Sequence, residues 1–190
     1  DARAEADETI ARSHGEATKG GKMPMAMEKA QVTLPSDREV KVVRSFRATR
    51  PLVYRAYTEP ALVQRWLLGP PGWSMPVCEM DVRVGGRYRW RWRSDTDASE
   101  FGFAGTFREV TPPSRLVHTE TYDPGTVDDA HPQSEALVSV TFTEDSGITT
   151  VTTLIDFGSR EARDAAVATG MTDGMEQSYQ LLDALLSERV

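Results

Sequence analysis

The chain has 190 residues, of which 39% are hydrophobic and 27% charged, and a net charge of −7. That length fits one ordinary domain with a tail, and no apolar run approaches the roughly 20 residues that span a bilayer. The acidic balance argues against nucleic-acid binding, which needs a basic face for phosphates, and the single cysteine, Cys78, excludes an internal disulfide and makes a cytoplasmic setting the default.

Residues 1–36 read as a tail, disordered or derived from sequence upstream of the natural start. They mix charges, contain few large apolar side chains and cannot offset the entropy of ordering. The first residue is not Met, and Met23, Met25 and Met27 are each candidate starts. No apolar stretch with a small-residue cleavage site is present, so no signal peptide is expected. The folded domain is placed at 37–190.

Val40 and Val42 in "REVKVVRSF" predict a strand with one apolar face, which Arg44 shares by parity. "RPLVYRAYTEPALVQRWL" reads as two short helices, restarted at Pro60, with Leu62 and Trp66 on the second apolar stripe. "GPPGW" must be a loop. Six strands follow, near 75–83, 86–93, 100–110, 115–122, 135–144 and 148–157. Gly85–Gly86 suggests a tight hairpin between the first two. Short turns between successive strands imply an antiparallel sheet.

From Ser159 the spacing becomes helical. Ala162, Met171, Met175, Tyr179, Leu182 and Leu186 form one stripe, and Ser159 suits an N-cap. A single helix of about 27 residues, roughly 40 Å long, is expected to cover the apolar face of the sheet. The fold class is therefore α+β: a curved antiparallel sheet around a long C-terminal helix, with two short helices after the first strand.

The strand "RYRWRWR" carries Tyr88, Trp90 and Trp92 on one face and Arg87, Arg89, Arg91 and Arg93 on the other. The aromatics are expected inward, and the arginines outward among the surplus Asp and Glu. Phe101, Phe103 and Phe107 share one parity on the next strand, interrupted by Gly105. Gly170 and Gly174 each weaken a helix by about 1 kcal/mol against Ala. They permit either close helix–sheet packing or space for a ligand. Aromatic walls with a few polar groups suit a small-molecule cavity. The expected wall comprises Trp66, Tyr88, Trp90, Trp92, Phe103, Met171, Gly174, Met175 and Tyr179, with His118 and Tyr122 as orienting polar groups. The loop "DPGTVDDAHPQS" is placed over the mouth.

"HTETY" puts His118, Glu120 and Tyr122 on one strand face. These are weak catalytic candidates, either an acid–base set or hydrogen-bonded core residues. No nucleophile elbow or phosphate loop is present. Three scattered histidines and one cysteine give no metal spacing. No cofactor and no metal are expected. Cys78 reads as a small buried hydrophobe.

"YTEPALVQRWLLGPPGW", "VCEMDVRVGGRYRWRW", "GTFREVTPPSRLVHTETY", "LVSVTF" and "ARDAAVATGMTDGMEQSYQLLDALL" together resemble the bacterial AHSA-type family. That family is named for its likeness to a domain of the activator of the heat-shock protein 90 ATPase. It lies within the START-like (SRPBCC, polyketide-cyclase-like) superfamily. The resemblance covers about Asp37 to Val190. It implies the helix-grip fold and a cavity between sheet and terminal helix. It carries no invariant catalytic motif. It implies a binder of a hydrophobic, aromatic or polyketide-like molecule, with sequestration of an enediyne-type antibiotic for self-resistance as one form. In that form a cavity glycine, Gly102, Gly105, Gly125 or Gly174, would surrender a hydrogen. The alternatives are a co-chaperone-like stress-response activator with a chaperone partner, and a cyclase or hydrolase using His118. A monomer or homodimer, with no nucleic acid and no membrane as partner, is expected.

Overall fold

The computed structural model describes residues 28–126 and 135–188. Among these residues eight strands form one antiparallel sheet: β1 (Gln31–Thr33), β2 (Glu39–Phe46), β3 (Trp73–Met80), β4 (Arg87–Ser94), β5 (Glu100–Thr111), β6 (Arg115–Asp123), β7 (Glu135–Asp145) and β8 (Ile148–Asp156). Their spatial order is β1-β2-β8-β7-β6-β5-β4-β3. Helices α1 (Arg50–Thr58) and α2 (Pro60–Trp66) carry the chain from β2 to β3 at the far edge. Helices α3 (Arg160–Ala168) and α4 (Met171–Ser187) close the chain. This is the helix-grip α+β architecture.

Period-two alternation decides which face is buried. In β2, Val40, Val42, Arg44 and Phe46 are buried while their neighbours are half-buried. In β8, Thr149, Val151, Thr153 and Ile155 behave the same way. The main core joins these residues to Phe142 on β7 and to Tyr179, Leu182 and Leu186 on α4. A smaller cluster holds Val63, Met75 and Trp92. Buried Arg44 reaches α4, with Nη2 2.5 Å from Asp183 Oδ2 and Nε 3.6 Å from Glu176 Oε2.

Three local expectations are corrected. The terminal stripe is two helices, because Gly170 adopts φ +79, a left-handed conformation that stops α3 and starts α4. Ser159 does cap α3, its Oγ accepting from Ala162 N–H at 3.1 Å. Residues 81–86 form a longer connection than a two-residue hairpin. It is held by Asp81 N–H donating to Arg87 O at 2.8 Å and Gly85 N–H donating to Phe107 O at 2.8 Å. A Cβ at Gly86 would lie 1.9 Å from Asp81 O, so only glycine fits that closure. Lastly, Gln31–Thr33, within the segment read as tail, pair with Lys41–Val43 of β2. Residues 1–27 lie outside the described residues, as do 127–134, which hold His131 and most of the acidic loop.

The arginines of β4 divide. Arg87, Arg89 and Arg93 are exposed. Arg91 is half-buried and pairs with Asp123 and, at 3.4 Å, with Glu100. The outer face is charge-balanced as expected at this one position.

Candidate functional site: an aromatic cavity between sheet and helices

Helix α4 rests on α2, α1, α3 and β2. Between it and the inner face of the remaining sheet lies a cavity of about 790 Å³. Strand parity builds its wall. On β4, Trp90 and Trp92 face Phe103 and Phe101 of β5 across the ladder. Trp92 stacks on Phe101 at 5.3 Å and 11°, and meets Phe103 edge-on at 5.7 Å. Phe103 in turn opposes Tyr122 of β6, with ring centroids 5.5 Å apart. Such offset and edge-on pairs are the arrangements ring quadrupoles favour.

The cavity brings together Trp66, Trp90, Trp92, Phe103, His118 and Tyr122 from α2 and the sheet. From α4 it brings Met171, Gly174, Met175 and Tyr179. Tyr88 is the exception, because it does not line the cavity. Its Cα partner is Gly105, and a Cβ there would sit 2.7 Å from Tyr88 Cε1 and 1.8 Å from Thr119 O. The tyrosine ring occupies the gap that the glycine leaves. Its hydroxyl donates to Thr119 O at 2.9 Å and lies 3.1 Å from His118 Nδ1. Tyr88 is thus a buried support behind Trp90, whose ring is 4.4 Å away.

Tyr57, Leu68, Trp73, Phe101, Glu120 and Val138 also line the cavity. Phe101 and Glu120 share the inward parity of Phe103 and His118, a signal the sequence carried. Tyr57 falls on the apolar stripe of the first short helix, and tertiary packing brings it beside Trp66, at 4.7 Å.

The loop at 67–72 closes one side, and Leu67, Leu68, Gly69 and Pro70 line the space. Trp92 Nε1 donates to Leu67 O at 2.7 Å, and Gly69 N–H donates to Ser178 Oγ at 2.8 Å. The loop therefore ties β4 to α4.

Of the four glycines with a suggested radical role, three have steric reasons to be glycine. A Cβ would meet Trp90 O at 2.3 Å from Gly102 and Thr119 O at 1.8 Å from Gly105. From Gly125, at φ +57, it would meet Glu100 O at 2.3 Å. Gly174 alone of the four borders the cavity, with nothing within 4 Å of its Cβ position.

The polar groups are few and perturbed. Burial pushes His118 down to about 4, its contact with the Thr119 carbonyl opposing, so the ring is neutral at pH 7. Burial pushes the Glu120 carboxyl up to about 7, the Tyr88 hydroxyl opposing. Burial also raises the Cys78 thiol to about 11, which leaves it inert. Among the described residues no three His, Cys, Asp or Glu gather to hold a metal, and no helix is long and apolar enough to cross a membrane.

These shifts set a pH dependence. His118 titrates lower folded than unfolded, so its contribution is lost as pH falls from about 6.5 to about 4. Glu120 titrates higher folded, so its contribution is present at low pH and lost as pH rises from about 4.5 through 7. Glu120→Gln is expected to stabilise the fold at pH 8 by on the order of 2 kcal/mol, tempered by residual solvent contact. The gain should vanish below pH 4.5. Melting curves across that range check it, and a pH-independent gain would refute the assignment.

The sequence profile of the Activator of Hsp90 ATPase homolog 1-like protein family matches residues 47–187. The chain belongs to this family. A crystal structure of a Rhodobacter sphaeroides protein is 31% identical, over 85% of this chain and 99% of that one, with a TM-score of 0.76. A Mycobacterium smegmatis protein, Ms6760, shares the fold at 21% identity, over 85% and 97% of the chains, with a TM-score of 0.71. An AHSA1-like protein from Aeromonas hydrophila shares it at 22% identity, over 76% and 93%, with a TM-score of 0.58. No curated protein matches the sequence. Membership in the family, with this fold, supports a ligand-binding or activator-like role in general terms.

Proposed function

We propose that this protein binds a hydrophobic small molecule, aromatic or polyketide-like, in the cavity between its sheet and its last helices, and sequesters it without turnover. The cavity itself carries the reading. Its volume of about 790 Å³ falls in the range of about 300–1,000 Å³ typical of small-molecule sites. Its walls are aromatic and aliphatic, so burial of apolar ligand surface, at about 25 cal/mol per Å², would supply most of the affinity. The polar groups support binding over catalysis. His118 directs Nδ1 to Tyr88 and Thr119, which fits a ring held as a fixed orienting group.

All four tryptophans of the chain, Trp66, Trp73, Trp90 and Trp92, line the cavity. Ligand entry is therefore expected to change the intrinsic fluorescence strongly. Ligand at a hundredfold excess over Kd adds about 2.7 kcal/mol of stability, or a rise in Tm of roughly 5–10 °C for a domain of this size. A screen of hydrophobic natural products that changes neither signal would sink the reading.

A further inference from the structure

The charges around the cavity are one-sided. Its described lining contains two carboxylates, Glu120 and Asp173, and neither a lysine nor an arginine. Strand parity explains the missing cations. Arg87, Arg89, Arg91 and Arg93 all project from the opposite face of the strand that supplies Trp90 and Trp92. Arg91 is already paired with Glu100 and Asp123 there. On the inner face, Arg44 is held by Asp183 and Glu176. The one imidazole among the described lining residues, His118, is buried with Nδ1 turned to Tyr88 and Thr119.

Glu120 stands between His118 and Tyr122 on the inner face of β6. The rings on either side of it belong to the aromatic wall. Trp90 is 6.1 Å from His118, and Phe103 is 5.5 Å from Tyr122, centroid to centroid. An anionic ligand entering this space would bring a second negative charge to a desolvated carboxylate, which is costly without a counter-charge. A purely neutral hydrocarbon would leave the carboxylate buried against it. A positive nitrogen resolves both problems, because aromatic faces attract cations by their quadrupoles and the carboxylate completes the pair. The indole Nε1 of Trp90 is buried and has no hydrogen-bond partner among the described residues. It can donate to an oxygen of the same ligand.

We propose that the ligand is a hydrophobic cation, an aryl or polycyclic molecule bearing a positively charged aliphatic nitrogen, whose positive centre sits beside Glu120 within the aromatic wall. This rests on the ligand-binding reading above and narrows it to a charge class.

The test uses the full chain and three matched probes: naphthylmethyl-trimethylammonium, its neutral isostere with carbon in place of nitrogen, and naphthalene carboxylate. Calorimetric titration at pH 7.5 is expected to show the cation binding at least tenfold more tightly than the isostere, and the carboxylate more weakly than both. Glu120→Gln should weaken the cation at least tenfold and erase its preference, while the isostere, no longer facing a buried carboxylate, binds at least as tightly as before. Equal or better binding of the isostere would overturn the charge assignment and leave the hydrophobic-cavity reading standing. A preference that survives in Glu120→Gln would overturn the role of Glu120. Binding of none of the three would count against both proposals. The wild-type comparison decides the charge question even if the variant folds poorly.

Discussion

Arg44→Ala is expected to destabilise the fold by about 3–5 kcal/mol, the range for removing one partner of a buried ion pair. Arg44 sits at an inward position of β2 between Val42 and Phe46, and its side chain is 3% exposed. Its guanidinium is a polar tie between the sheet and α4. It meets Asp183 Oδ2 at 2.5 Å and Glu176 Oε2 at 3.6 Å, and donates from Nη1 to Ser45 O at 2.6 Å. Glu176 Oε2 also accepts from Ala30 N–H at 2.8 Å, beside β1. Truncation would leave a void in the core and two carboxylates without their cation. Asp183 is already raised by burial, with Arg44 opposing that rise, so losing Arg44 should move it higher still. The loss corresponds to a fall in Tm on the order of 10 °C. Adding Asp183→Asn to Arg44→Ala should recover part of the loss, because the uncompensated charge disappears. A cost within about 0.5 kcal/mol would show that the pair is an incidental contact.

The parts of this structure that were legible in the sequence are those governed by a simple period. Alternation along "RYRWRWR" separated Trp90 and Trp92 from the arginines. The helical stripe from Met171 to Leu186 identified Met171, Met175 and Tyr179 as the opposite wall. What could not be read depended on backbone conformation or distant packing. Tyr88 has the same parity as Trp90, yet its ring folds over Gly105 and leaves the cavity. Parity reports the face on which a side chain starts, not where its ring comes to rest. Gly170 breaks the last helix only because it takes φ +79, and nothing in the stripe distinguishes it from Gly174. All three residues of β1 are exposed, so the strand exists through backbone pairing and leaves no apolar pattern.

The two helix glycines can be separated by experiment, and the outcome bears directly on the cavity. Gly170, at φ +79, should resist a side chain whatever space surrounds it, and Gly170→Ala is expected to cost about 1 kcal/mol. Gly174 lies in the first turn of α4, with nothing within 4 Å of its Cβ position. Gly174→Ala is therefore expected to stabilise the fold by up to about 1 kcal/mol through helix propensity, a rise in Tm of roughly 2–4 °C. A residue that weakens its helix while touching nothing among the described residues has no packing reason there to be glycine. The space in front of it belongs to the cavity. Gly174→Trp should then place an indole where the ligand would lie. Ligand affinity is expected to fall at least a hundredfold, about 2.7 kcal/mol, with the melting temperature held or raised. Titration of the probe cation by calorimetry, with melting curves on both variants, checks the pair. Wild-type affinity in Gly174→Trp would place the ligand outside this cavity, whatever the aromatic wall suggests. Lost affinity in a stably folded Gly174→Trp, beside full affinity in Gly174→Ala, would show that the missing side chain is room kept for a guest.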